Sequence, residues 1–138
     1  IKFLLFLFIA TGLMTSCKKD EEKTVTEKIT GPSCWKIAKY EEKDDSGNYK
    51  DYTNDTYDAC ELDDCTKFNS NGSYITNDNG EKCEGTTDPV EEGTWTLSNS
   101  DKTLTLLSGG FGFATNIESI TENQLVVTAT KLRITYKN

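Results

Sequence analysis

The chain has 138 residues, with 23 acidic against 15 basic side chains, a net charge of −8 and no histidine. That length suits one domain. The acidic balance argues against nucleic-acid binding, which needs clustered Lys and Arg, and the absence of imidazole weighs against zinc chemistry and Ser-His or Cys-His nucleophiles. Carboxylate chemistry stays open, and a 35% hydrophobic content points to a thin core, as in a single closed sheet.

The N-terminal stretch is read as a targeting segment. Lys2 precedes an apolar run from Phe3 to Ile9 that continues more weakly to Met14. This is signal-peptide length, short of the roughly 20 apolar residues that span a bilayer as a helix. The run ends in Leu13-Met14-Thr15-Ser16-Cys17, which resembles the lipobox of bacterial lipoproteins. The resemblance implies a signal peptide over residues 1–16, acylation of Cys17, and a membrane anchor in which each buried CH₂ is worth about 0.8 kcal/mol. The following Lys18-Lys19-Asp20-Glu21-Glu22-Lys23 resembles the charged export signal of some outer-membrane lipoproteins. The implied address is the outer membrane, with the domain in the periplasm or at the cell surface. Residues 17–33 are charged and poor in apolar residues, and are expected to be the lipidated cysteine and a flexible linker.

From Cys34 to Asn138 short alternating segments are split by turn residues, the pattern of half-buried strands. Trp35 and Ile37 share a face on the first, and Trp35 is expected to plug one end of a barrel. Residues 41–58 are rich in Tyr and Asp and too long for a plain hairpin, which makes them either a mobile loop over a barrel mouth or a protein- or glycan-binding element. An EF-hand reading of Asp44-x-Ser46-x-Asn48 fails, because Tyr49 follows where that loop needs Gly. Asp63 and Asp64 are adjacent, and in a strand they would point to opposite faces and not converge on one substrate. Phe68 and Tyr74 flank Asn71-Gly72, the strongest hairpin signal in the chain.

Gly93-Thr-Trp95-Thr-Leu97 puts Trp95 and Leu97 inward, Asn99-Ser100-Asp101 turns the chain, and Leu104 and Leu106 face inward on the next strand. Phe111, Phe113, Thr115 and Ile117 follow Gly109-Gly110, then come Leu125, Val127 and Ala129, and finally Leu132, Ile134 and Tyr136. The eight candidates predict an all-β, eight-stranded antiparallel up-and-down barrel over residues 34–138, with a β-sandwich as the alternative. Such a barrel is filled by side chains or holds one small ligand. The expected inward set is Trp35, Phe68, Trp95, Phe111 and Phe113, with Trp35, Phe68, Trp95 and Phe113 as candidate ligand contacts. Apart from Cys17, the even set Cys34, Cys60, Cys65 and Cys83 predicts two disulfides from three possible connectivities. Cys60-x₄-Cys65 matches neither a redox motif nor a zinc pattern, so no metal and no cofactor are expected.

Taken together, Trp35-Lys-Ile, Cys60-Glu-Leu-Asp63-Asp64, Phe68-Asn-Ser-Asn-Gly72-Ser-Tyr74, Lys82-Cys83, Gly93-Thr-Trp95-Thr-Leu97 and Leu104-Thr-Leu106 resemble the lipocalin-like domain of bacterial lipoproteins. The resemblance covers roughly residues 33–138. It implies a barrel of lipocalin-like type and the pairings Cys60–Cys83 and Cys34–Cys65. The expected function is a non-catalytic lipoprotein whose barrel binds a small apolar ligand or serves as a surface interaction module. The alternative is recognition of a protein or glycan through residues 41–58.

Overall fold

The computed structural model describes residues 22–138. The signal-peptide segment, Cys17 and Lys18 to Glu21 lie outside them. The first element is a helix, α1 (Val25–Thr30), inside the stretch expected to be a linker. It is capped by Thr24: Glu27 N–H donates to Thr24 Oγ1 at 3.2 Å, and Thr24 N–H donates back to Glu27 Oε2 at 2.7 Å. Val25 and Ile29, four residues apart, share its buried face, and Ile29 is fully buried. Six residues are too few to hold a helix alone or to leave a periodic trace in sequence, so packing on the barrel sustains it.

The described residues then form β1 (Lys36–Lys43), β2 (Tyr49–Asp51), two one-turn helices α2 (Thr53–Thr56) and α3 (Ala59–Leu62), β3 (Cys65–Phe68), β4 (Ser73–Asn77), β5 (Glu91–Ser98), β6 (Thr103–Ser108), β7 (Phe111–Ile120), β8 (Gln124–Ala129) and β9 (Leu132–Lys137). The strands make one antiparallel sheet in the order β2-β1-β9-β8-β7-β6-β5-β4-β3. All eight expected strands are present, and the ninth is β2, which lies in residues 41–58 and pairs Lys43 with Tyr49 and Glu41 with Asp51. That stretch therefore carries a short strand and a one-turn helix in place of a plain loop. A three-residue strand leaves no alternation to detect.

The sheet does not close through a continuous ladder. Among the described residues β1 and β3 meet at one bridge just before β1, where Trp35 N–H donates to Thr66 O at 2.8 Å and Thr66 N–H donates to Trp35 O at 2.9 Å. The Cys34–Cys65 disulfide crosses this seam beside the bridge, with its Cα atoms 5.1 Å apart. Cys60–Cys83, with Cα atoms 5.4 Å apart, ties α3 to the loop after β4. Both implied pairings are present. By loop closure each is worth about 3–4 kcal/mol for separations of 31 and 23 residues.

Two bulges keep the inward phase. Pairing shifts between Ile37 and Lys39, so Ile37 and Tyr40 both face partners on the core side, Tyr136 and Ile134. A second shift between Ile117 and Ser119 does the same for Ile117 and Ile120. The core is Ile29, Trp35, Phe68, Tyr74, Trp95, Leu104, Leu125, Val127 and Ile134. Gly93 sits opposite Tyr74 on the same side of the sheet, and a Cβ there would lie 2.8 Å from the tyrosine Cε1. The missing side chain lets the ring lie flat across β5.

Strand direction gives the barrel two unlike ends. At one lie α1 and the β3–β4, β5–β6 and β7–β8 turns, with Asn99, Ser100 and Asp101 all at positive φ, a region that Asn and Asp tolerate. At the other lie α2, α3, the loop over residues 78–90 and the β6–β7 tip. The aromatics fill the first end. Phe111 and Phe113 do not join them, with exposures of 85% and 46%. Their alternation is in phase with buried Thr115, but the β6–β7 hairpin carries them up to the rim, where no opposite wall covers them.

Candidate functional site

The open end holds a cavity of about 400 Å³. Its floor is apolar: Trp35, Phe68 and Ile134 are buried there, and Trp35 Nε1–H donates to Ile29 O at 2.9 Å, which fixes the indole against α1. Leu106, Ile37 and Thr66 extend the wall. Three phenols also face the space: Tyr57 from the turn between α2 and α3, Tyr74 from β4 and Tyr136 from β9. The rim carries Glu61 from α3, Asp64 just before β3 and Glu91 at the start of β5, together with half-exposed Phe113. No Lys or Arg lines it among the described residues.

The titration behaviour follows from these surroundings. Tyr74 is pushed up to about 12 by burial and by its 2.7 Å hydrogen bond to Glu91 Oε1. Burial, with neighbouring Tyr57, Glu91 and Tyr74, raises Tyr136. Burial and Glu61 raise Tyr57. All three are neutral hydrogen-bonding groups at neutral pH. Asp64 is raised by burial first, then by the carboxylates of Asp78, Asp63, Glu61 and Asp88. Glu61 already accepts from Asp58 N–H at 2.8 Å. Such a cup can hold an apolar body by contact and a polar head by hydrogen bonding at the rim.

Of the four expected ligand contacts, the structure brings Trp35, Phe68 and Phe113 to this cavity. Trp95 is buried elsewhere in the core, edge-on to Phe68 at 5.8 Å, with Nε1–H donating to Asn69 O at 3.0 Å. The sequence reading missed Tyr57, Glu61, Asp64 and Glu91 as lining groups. Tyr136 was legible, because it stands on the inward face of the last strand. Asp63 and Asp64 depart from expectation: they lie in the turn after α3 rather than in a strand, so alternation does not separate them, and together with Asp78 their carboxylate oxygens lie within 4.8 Å of one another. Asp63 Oδ2 accepts Glu81 N–H at 2.8 Å and touches the face of Gly80, which pins the Asn79-Gly80 turn.

The tyrosines of residues 41–58 are largely committed to the fold. Arg133 lies over the Tyr49 ring at 4.0 Å, Lys50 over Tyr52 at 4.9 Å, and Tyr40 packs edge-on against Tyr57 at 5.7 Å. Beneath them Glu41, 3% exposed, accepts from Arg133 Nε–H and from Lys39 Nζ–H, each at 2.6 Å. No helix among the described residues is long and apolar enough to cross a membrane.

Comparison with known proteins agrees with this architecture. A family described as a lipocalin-like domain matches residues 16–127. No curated protein sequence matches. Among solved structures, a lipocalin-like protein from Bacteroides uniformis ATCC 8492 superposes with a TM-score of 0.51 at 12% identity, covering 75% of this chain and 94% of that one. A DUF4847 family protein from Bacteroides vulgatus ATCC 8482 does so with a TM-score of 0.51 at 14% identity, covering 81% and 96%. At such identities the structural likeness carries the fold alone. The family match, which spans most of the sequence and ends within β8, carries the kinship: this chain belongs to the lipocalin-like domain family.

Proposed function

We propose that this protein is a non-catalytic lipoprotein, anchored through acylated Cys17 in the outer membrane, whose barrel binds one small molecule with an apolar body. The observation that carries the binding half is the cavity of about 400 Å³, within the size range of small-molecule sites, with a packed aromatic floor and phenols and carboxylates among its lining groups. The anchor half rests on the lipobox-like sequence. Glu22 lies beside α1 at the filled end, where Lys28 reaches it at 3.0 Å. Four residues separate it from Cys17, and the five steps between the two reach at most about 18 Å when fully extended. A lipid there would hold the filled end toward the membrane and leave the mouth facing the aqueous phase, so the ligand would arrive from solution.

The neutral fluorophore N-phenyl-1-naphthylamine tests the binding half. Titrated into the purified protein, it is expected to show one saturable site from which octanol displaces it. A flat titration would sink the reading. Recognition of a protein or glycan by residues 41–58 has less support, because the rings of Tyr49 and Tyr52 are covered by cationic side chains of the same molecule.

A further inference from the structure

We infer that the ligand is an amphiphilic cation: an alkyl or aromatic body seated on the floor, with an ammonium or amidinium head at the rim. This rests on the reading of the open end as a ligand cavity and names the chemical class that the cavity selects. The charge of the lining is one-sided. Glu61, Asp64 and Glu91 stand at the mouth, and no Lys or Arg lines the space among the described residues. Burial first, and then the neighbouring carboxylates of Asp78, Asp63, Glu61 and Asp88, hold the proton of Asp64 more tightly than usual, and those carboxylates deepen the negative potential there.

A ligand carboxylate would enter this ring against repulsion and with no basic partner. A cation would relieve the crowding of like charges, and would meet the aromatic rings of Tyr57, Tyr74 and Phe113 in the same lining. Two of the three carboxylates are fixed in advance, Glu91 by the Tyr74 hydroxyl at 2.7 Å and Glu61 by Asp58 N–H at 2.8 Å. The net charge of −8 adds long-range attraction for a cation.

The test is displacement of N-phenyl-1-naphthylamine from the purified protein by octylammonium, octanol and octanoate, which share a chain and differ in head charge. Octylammonium is expected to bind about tenfold more tightly than octanoate, with octanol between them and the spread narrowing in high salt. Glu61→Gln, Asp64→Asn and Glu91→Gln should each weaken octylammonium about two- to fivefold and leave octanol unchanged. The three substitutions are read separately, with a melting curve for each, so that a folding defect in one leaves the other two informative. If octanol binds as well as octylammonium and the variants are indifferent, the cation assignment is overturned while the cavity reading stands. If the ammonium preference survives all three substitutions combined, it belongs to the overall charge, and the rim assignment is overturned. If neither fluorophore nor any competitor binds, both readings fall together.

Discussion

The two ends of this barrel use the same residue types in opposite ways. At the filled end, aromatic side chains are sealed: Trp35 is fully buried, its indole N–H is spent on Ile29 O, and α1 lies across the opening. At the open end Phe111 is 85% exposed, three phenols face the cavity and three carboxylates crowd one rim. An up-and-down sheet has no preferred end, so the difference comes from what the connections supply. Short turns and a capped helix close one mouth. Longer connections, carrying α2, α3 and an acidic loop, frame the other without filling it. The contrast suggests that stability is concentrated where nothing binds, which frees the opposite mouth to carry groups that disfavour folding.

The largest expected effect tests that concentration directly. Trp35→Ala should cost about 3–5 kcal/mol in urea unfolding, because it empties the floor and orphans the Ile29 carbonyl. Phe111→Ala should change stability by less than about 0.5 kcal/mol. Comparable losses at the two sites would mean that the hairpin tip packs in solution and that the contrast is wrong. Next in size is the seam. Replacing Cys34 and Cys65 with Ala should cost about 3–4 kcal/mol. It should also speed amide exchange at Trp35 and Thr66, whose paired hydrogen bonds form the single bridge there. Protection unchanged at those two amides would show that the bridge holds the seam without the disulfide.

How much of this was legible in the sequence divides along the same line. Strands with clean alternation were read in the right order, and the turns at Asn71-Gly72 and Asn99-Ser100-Asp101 stand where they were placed, since turn chemistry is local. Trp35 was legible as a plug because a large aromatic at the head of the first strand has little else to do. What escaped was short or non-local. α1 is six residues held by tertiary contact, and β2 is three residues held by β1. The phase of Phe111 and Phe113 follows the strand, yet whether they are covered depends on how far the hairpin overshoots the opposite wall. The rim carboxylates come from α3, the turn before β3, and β5, segments up to 30 residues apart between Glu61 and Glu91, and no spacing rule joins them.

Glu41 and Asp64 sharpen the comparison through pKa shifts of opposite direction, and the larger effect belongs to Glu41. Hydrogen bonds from Arg133 and then Lys39 hold its carboxyl below the usual range. The folded state therefore binds its proton less readily than the unfolded chain does. Its stabilising contribution is present above the ordinary carboxylate range and is lost as pH falls through the lowered value. Glu41→Gln should cost about 1–3 kcal/mol at pH 7 and flatten the acid limb of the stability curve.

Asp64 runs the other way. Burial and neighbouring carboxylates raise its pKa, so the folded state binds the proton more readily than the unfolded chain and the charged form opposes folding at neutral pH. Asp64→Asn should therefore stabilise the protein at pH 7, by only a few tenths of a kcal/mol once solvent screening at a partly exposed site is allowed for. The gain should shrink as the pH falls through the range in which the native carboxyl protonates. Melting curves of the two variants across pH 3–8 separate the signs. A destabilised Asp64→Asn would mean that this carboxylate, like Glu41, holds the fold together. The rim would then owe its charge to folding, and the contrast between the two ends would lose its electrostatic half.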